Sequence, residues 1–375
     1  MKIYKYIILL ITLLLLFSCK SRNEAIENDE VTEWLEFEGK KGMPHVVLVS
    51  GDEEYRSEEA MPQLAKMLSE HHGYNCTVLF AQDPAKPGYV NANYVFNIPG
   101  LEQLATADMM VIFTRFRALP DDQMVHIDNF LKSGKPVLGM RTSTHAFKFK
   151  DMDVNTSYAH YGNYYRGDDE WKEGFGRLVL GENWRYHHGH HAHQSTRGIA
   201  APESDGHPML NGIEEGDIWG PTDVYGVRFP LPGDGQAVVL GAVVGRPGEQ
   251  EPADPRLGMR PTDDIVPDNV TRKNKEGKEV SVDLNSPMMP IVWTKSYQIP
   301  NGKIGRAIAT TIGSSTDMLS EGVRRLLVNA VVWGLDRQVP EKAKVDIVGS
   351  YEPLRFAFQK EGYWEDRNLK ISELK

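Results

Sequence analysis

Thiols are nearly absent: among 375 residues there are two cysteines, Cys19 and Cys76. That excludes zinc–thiolate sites, so any bound metal has to be held by histidine, carboxylate and water. Basic runs are missing as well. Lysine and arginine total 42 against 52 aspartates and glutamates, a net charge of −10, which argues against nucleic acid as a partner. Long apolar runs are confined to residues 7–17, too short for a comfortable membrane span. No internal repeat is present.

The apolar run follows Lys2 and Lys5 and ends at Leu16-Phe17-Ser18-Cys19, which resembles the bacterial lipobox. The pattern implies cleavage before Cys19 and acylation of its sulfur; the alternative is an uncleaved anchor helix. Either way the chain is exported and tethered to the bacterial cell envelope, periplasmic or surface-facing, and meets the membrane through its anchor alone. Residues 1–18 are therefore expected as a lipoprotein leader, and residues 19–42 as the lipidated cysteine and a flexible polar tether. With Cys19 lipidated, Cys76 lacks a partner and no intrachain disulfide is expected. The rest divides into a domain over 43–338, carrying a polar insertion at 246–287, and a C-terminal extension at 339–375.

Within the domain, strand and helix patterns alternate. Residues 45–50 form an unbroken apolar run, the mark of a strand buried on both faces. Residues 57–70 follow with a helical apolar stripe that Ser57 can cap and Gly73 can stop. Strands are expected again at 76–80, 108–113 and 136–140, with helices at 101–105 and 120–132 between them. A late strand at 305–312 precedes the strongest helical stripe, 319–335; apolar segments at 236–244 and 290–294 are strand-like. The pattern specifies an α/β fold with a doubly wound, mostly parallel sheet and long loop insertions. In such sheets ligands bind beyond the carboxyl ends of the strands, here residues 51–55, 114–119, 141–147 and 313–317.

Chemistry concentrates in residues 181–193. Five of the twelve histidines are His187, His188, His190, His191 and His193. In an extended segment alternate residues share a face, pairing His188 with His190 and His191 with His193. Imidazoles so spaced can chelate a divalent metal, with Glu182 as the nearest carboxylate, or place an acid and a base around a substrate. A solvated histidine-rich loop is the bland alternative. Asp52, Glu53 and Glu54 follow the first strand and serve equally as helix caps or as ligands to a polar substrate. Arg115 and Arg117 suit a polyhydroxyl ligand or salt bridges to those acids. Arg141 stands at the turn where this fold class often carries a nucleophile, which an arginine cannot be. His145, Asp223, Tyr225 and Asp317 complete the polar positions near the strand ends.

From about His45 to Asp336 the chain resembles the ThuA-like family, named for trehalose utilisation. The counterparts of its motifs are Gly139-Met140-Arg141, the His187-His188 region, His207-Pro208-Met209-Leu210-Asn211-Gly212-Ile213, and Asp223-Val224-Tyr225. Pro290-Ile291-Val292-Trp293, Gly305-Arg306, Gly313-Ser314 and Val332-Trp333-Gly334 follow in the family's order. The resemblance implies a fold related to class I glutamine amidotransferases and flavodoxin, and a role in carbohydrate metabolism, including oxidised (keto) sugars. The sequence departs from the family at Arg141 and Ser314, where many members have histidine, and at Val224, where they have glutamate. No cysteine occupies the elbow, so glutamine hydrolysis is not expected.

Together these readings lead to a carbohydrate-processing enzyme acting on a saccharide or keto sugar. His188, His190, His187 and Arg141 are the expected catalytic groups. Asp52, Glu53, Arg115, Arg117, His145, Asp223, Tyr225 and Asp317 are expected to bind substrate, and His191, His193 and Glu182 to hold a divalent metal if one assists. The alternative is a non-catalytic carbohydrate-binding lipoprotein or complex subunit.

Overall fold

Strands apolar on both faces need cover on both sides, and the sheet at the centre of this protein has it. The computed structural model describes residues 31–266, 270–273 and 276–375. The leader, Cys19 and the tether up to residue 30 lie outside the described residues; the rest of the expected tether is not a flexible linker, since residues 34–37 form a strand of the main sheet. The strands are β1 (Trp34–Phe37), β2 (His45–Gly51), β3 (Asn75–Phe80), β4 (Met109–Thr114), β5 (Val137–Met140), β6 (Gln194–Ala200), β7 (Trp219–Gly220), β8 (Gln236–Gly245), β9 (Asp264–Ile265), β10 (Val270–Lys273), β11 (Glu279–Val282), β12 (Met289–Tyr297) and β13 (Gly305–Thr310). The helices are α1 (Ser57–His72), α2 (Asp121–Lys132), α3 (Glu321–Gly334) and α4 (Tyr363–Arg367).

One sheet takes the order β1-β3-β2-β4-β5-β13-β12-β8-β6-β7, with β9 paired to β8. The block β3-β2-β4-β5-β13 is parallel throughout. It contains all four strands expected in the first part of the sequence, and the late strand joins it beside β5. Antiparallel strands extend it, β1 on one edge and β12, β8, β6 and β7 on the other. Side chains alternate across the parallel block. Val46, Leu48, Phe80, Phe113 and Met140 pack with Leu64, Met67 and Leu68 of α1 and Leu326 and Leu327 of α3. Val47, Val49, Leu79, Ile112 and Val137 pack with Met124, Ile127 and Leu131 of α2 on the other face.

Local signals set most ends. Gly73 closes α1 in the left-handed conformation at φ 77°, as its missing Cβ permits. Ser320 caps α3 by accepting from the Val323 amide. One detail differs from the sequence reading. The cap position of α1 is Arg56, at φ 60° and without a side-chain cap; Ser57 instead accepts from the Asp52 amide and meets the Ser50 hydroxyl. Pro62 lies inside the helix beyond its first turn. Within the 246–287 insertion, β9 joins the main sheet, β10 and β11 form a hairpin, and Leu257, Met259 and Leu284 are buried.

The C-terminal extension is built into the body. Phe356, Trp364 and Ile371 are buried. The Ala357 amide donates to the Glu54 carbonyl, and the Val90 amide donates to the Leu369 carbonyl. Arg367 meets Glu58 and Glu59 of α1, each at 3.2 Å. Burial, and then Glu59 beside it, push the Glu58 carboxyl up to about 7. Arg367→Ala therefore leaves Glu58 with Arg56 as its remaining cation, 3.6 Å away. Because Glu58 ionises as pH rises through about 7, the loss of stability should be larger at pH 8 than at pH 5. It should reach about 1–3 kcal/mol, read by chemical denaturation at the two pH values.

Candidate active site

The parallel and antiparallel parts of the sheet meet along β13 and β12, and beyond the carboxyl end of β5 Arg141 ties loops of the two parts together. It follows β5 at φ 45°, a left-handed conformation that a non-glycine residue adopts at a cost of order 1–3 kcal/mol. That turn sends its side chain into a fully buried slot. Nη1 donates to the Asp223 carbonyl at 2.7 Å and to the Thr311 carbonyl. Nη2 donates to Asp223 Oδ1 at 2.9 Å and to the Tyr55 hydroxyl at 3.2 Å. The guanidinium lies between the Tyr55 and Tyr225 rings, 4.4 and 4.0 Å from their centres. Two aromatic faces and a carboxylate compensate a charge that burial would otherwise penalise.

Asp223 is equally buried. Burial would raise its carboxyl, but Arg141, with His187 and His191 behind it, holds it well below the usual carboxylate range. His187 Nδ1 lies 2.8 Å from Oδ2, and His191 Nδ1 lies 3.2 Å from Oδ1. His191 also reaches Glu54 Oε1 through Nε2 at 3.2 Å. Burial would lower its pKa, yet the hydrogen bonds to Asp223 and Glu54 outweigh it and raise it to about 9. Near neutral pH His191 is thus an imidazolium between two carboxylates, and with Arg141 the four groups balance in charge. His187 has a different role. A carboxylate at Nδ1 selects the Nδ1–H tautomer. Among the described residues its Nε2 makes no hydrogen bond, and its side chain is 36% exposed. An open acceptor nitrogen backed by a buried carboxylate has the arrangement of a general base.

Rings enclose the centre. Trp184 lies 5.5 Å from His187 and 5.6 Å from His145. Phe356, from the C-terminal extension, stacks on Tyr55 at 5.3 Å and meets the His191 ring edge-on at 5.6 Å. Burial first, then Arg115 and Arg141, keep His145 well below its ordinary pKa and so neutral.

The histidine segment does not run extended, and this changes the expected pairing. The His193 and Gln194 amides both donate back to the His190 carbonyl, and Ala192 sits at φ 60°. The resulting turn brings together His187 and His191, four residues apart, with ring centres at 4.7 Å. His188 is buried elsewhere, Nε2 on the Leu284 carbonyl at 2.9 Å. His190 and His193 stack on each other at 4.3 Å and line a separate cleft of about 440 Å3 with Arg246 and Asp264. The structure thus does not bring His188 and His190 together with Arg141.

The other expected positions divide in the same way. Asp52 is buried and accepts from the Glu54 and Tyr55 amides and the Thr142 hydroxyl, a turn-holding role. Burial, then Glu53, push its carboxyl up to about 6. Glu53 pairs with Arg115 and, at 2.7 Å, with the fully buried Arg117. Arg117 also donates to the Ala92 carbonyl at 2.8 Å. Asp317 accepts from Thr222 Oγ1 at 2.8 Å and from the Gly313 and Ser314 amides at 2.9 Å. Glu182 is held by Arg228 Nε at 2.8 Å and is not part of the histidine cluster. Asp223, Tyr225 and His145 lie at the centre, with Asp223 as its organiser. Trp184 and Phe356 were not anticipated from the sequence. The signal for Trp184 was its place three residues before His187; Phe356 is 165 residues from His191 and had none.

His187, His191 and Asp223 offer ligand atoms within 4.8 Å of one another, a set able to hold a metal ion. Arg141 opposes it. A guanidinium on the same carboxylate repels a cation by roughly 4 kcal/mol per unit of charge at about 4 Å and intermediate dielectric. The permanent charge of Arg141 already occupies the role a metal would play toward Asp223.

No family model matches the chain, and no curated protein matches its sequence. Among solved structures, a protein described as ThuA-like from Parabacteroides merdae ATCC 43184 aligns at 12% identity and a TM-score of 0.40, covering 84% of this chain and 98% of that one. A second, described likewise, from Bacteroides uniformis ATCC 8492 aligns at 14% identity and a TM-score of 0.36, covering 79% and 93%.

The balance at His191 is directly measurable. Its ring resonances should titrate near pH 9, and Asp223→Asn should bring the midpoint down toward the ordinary imidazole value. Since the folded pKa is raised, the stability His191 contributes is present in full below pH ~6.5 and lost as pH rises through about 9. A midpoint for His191 below 6.5 in the unaltered protein would contradict this electrostatic picture.

Proposed function

We propose that this chain is a ThuA-like, saccharide-processing enzyme in which His187, oriented by Asp223, transfers the proton. The supporting observation is the 2.8 Å contact between His187 Nδ1 and a buried carboxylate that stays ionised, with the opposite nitrogen open. Such a dyad suits removal of a proton next to a carbonyl, the step that labilises a keto sugar toward isomerisation or loss of its glycosidic substituent. Aromatic faces around His187, chiefly Trp184, suit the apolar face of a sugar ring. Arg141 is buried completely and acts through Asp223, so it is a positioning residue in this reading, not one that touches substrate. His191, with both nitrogens engaged by Asp223 and Glu54, is likewise a positioning residue that helps to keep Asp223 ionised.

The order of the family motifs supports the assignment to ThuA-like proteins and, with it, a doubly wound, glutamine-amidotransferase-like fold. An exported lipoprotein is the location this reading takes, consistent with sugars processed at the cell envelope.

The test is a turnover screen of disaccharides and their 3-keto forms. His187→Ala and Asp223→Asn should each lose about 10²–10⁴-fold in rate, whereas His188→Ala and His190→Ala should retain most of it. Metal analysis of the same preparation should find well under one equivalent of divalent ion. Full turnover by His187→Ala would sink the assignment of the base; binding with no turnover of any saccharide would favour a binding protein instead.

A further inference from the structure

A series of aromatic rings in contact runs outward from the proposed centre, and its last member lines a separate cleft. From His187 the rings run through Trp184 to His145, then to Phe116 at 4.9 Å, and from Phe116 to Tyr164 at 5.9 Å. The last two rings are nearly parallel, 25° apart. Phe116 is held at φ 49°, a left-handed conformation unfavourable for a bulky side chain. Strain of this kind concentrates where a side chain is required in one orientation. Two contacts secure it: the Phe116 amide donates to the His145 carbonyl, and the Arg115 guanidinium covers the ring at 4.6 Å. The result is that Phe116 presents its face to Tyr164.

Tyr164 is 39% exposed and lines a cleft of about 310 Å3 with Asn155, Thr156, Tyr165 and Arg166. That volume lies at the lower end of small-ligand sites. Its wall mixes ring faces with amide and hydroxyl groups and two cations, Lys150 and Arg166. Beside Tyr164 in the chain, Asn163 is buried, and its side-chain oxygen meets no donor among the described residues. Stacking faces beside amide, hydroxyl and cationic hydrogen-bond donors match a pyranose, which has an apolar face and an equatorial girdle of hydroxyls. Arg166 is already engaged by the Asn163 and Tyr165 carbonyls, and in a chain of net charge −10 the remaining Lys150 makes a weak match for a nucleic acid or an acidic peptide.

We infer that the cleft beyond Tyr164 is a distal subsite for a neutral sugar unit, so that the substrate is an oligosaccharide reaching from His187 across Phe116 to Tyr164. This rests on the saccharide-processing reading of the centre and adds to it the length of the substrate and the place of its far end. Tyr164 takes no part in the proton-transfer centre. Its removal should leave the chemistry at His187 intact and cost binding of the longer chain alone.

The experiment is calorimetric titration of the whole protein with glucose, maltose, cellobiose, maltotetraose and cellotetraose. At least one tetrasaccharide should bind about tenfold more tightly than glucose, the contribution of one good stacking contact. Tyr164→Ala should remove that gain and leave glucose affinity unchanged, and Tyr164→Trp should restore it. Because Tyr164 is exposed, the alanine variant should keep the unfolding midpoint of the parent, which is measured alongside. Equal affinity for glucose and every tetrasaccharide, or a Tyr164→Ala protein that keeps the gain, overturns the subsite and leaves the role of His187 standing. Failure of all five sugars to bind overturns the subsite, while the saccharide reading is decided separately by the turnover screen that includes the 3-keto forms.

Discussion

The buried ion pair between Arg141 and Asp223 is the constraint on which the rest of this centre depends. Both side chains are fully removed from solvent, and neither charge is tolerable there alone. The groups that touch the pair are placed by satisfying one of them. Tyr55 and Tyr225 supply the faces that hold the guanidinium; His187 and His191 converge on the carboxylate from the other side. Glu54 completes the set by taking the second nitrogen of His191. The base at His187 owes its tautomer to one carboxylate that cannot be protonated near neutral pH, and the imidazolium at His191 owes its charge to that carboxylate and to Glu54.

The pair also joins two parts of the architecture. Arg141 leaves a strand of the parallel block, and Asp223 lies in the chain between two strands of the antiparallel wing. The contacts of Arg141 to the Asp223 carbonyl and carboxylate close the seam between them. The C-terminal extension seals the same seam from outside, with Phe356 on Tyr55 and His191 and the Ala357 amide on Glu54. Stability and site geometry are therefore coupled, since loosening the extension would unclamp the turn that carries Glu54 and Tyr55.

How much of this was legible in the sequence follows from the range of the interactions. The parallel strands declared themselves because burial on both faces leaves unbroken apolar runs, as in residues 45–50. The loops at their carboxyl ends were located by topology, and Arg141 and Asp223 were both singled out. What could not be read was the path of residues 187–193. Alternation in an extended segment favoured His188 and His190, but a turn at His190 and a left-handed Ala192 substitute a spacing of four. Carboxylates such as Asp52, Asp317 and Glu182 looked like ligands because capping and ion pairing use the same residue types as binding. Phe356 was invisible because its contact with the site is purely tertiary.

The most direct measurement is a double-mutant cycle on the pair, using Arg141→Met and Asp223→Leu and reading unfolding free energy. If the pair organises the centre, each single variant strands a buried charge and loses about 3–5 kcal/mol. The double variant should then lose clearly less than the two singles combined. Additive losses would show that the two charges are stabilised independently, and would contradict a centre organised by their pairing.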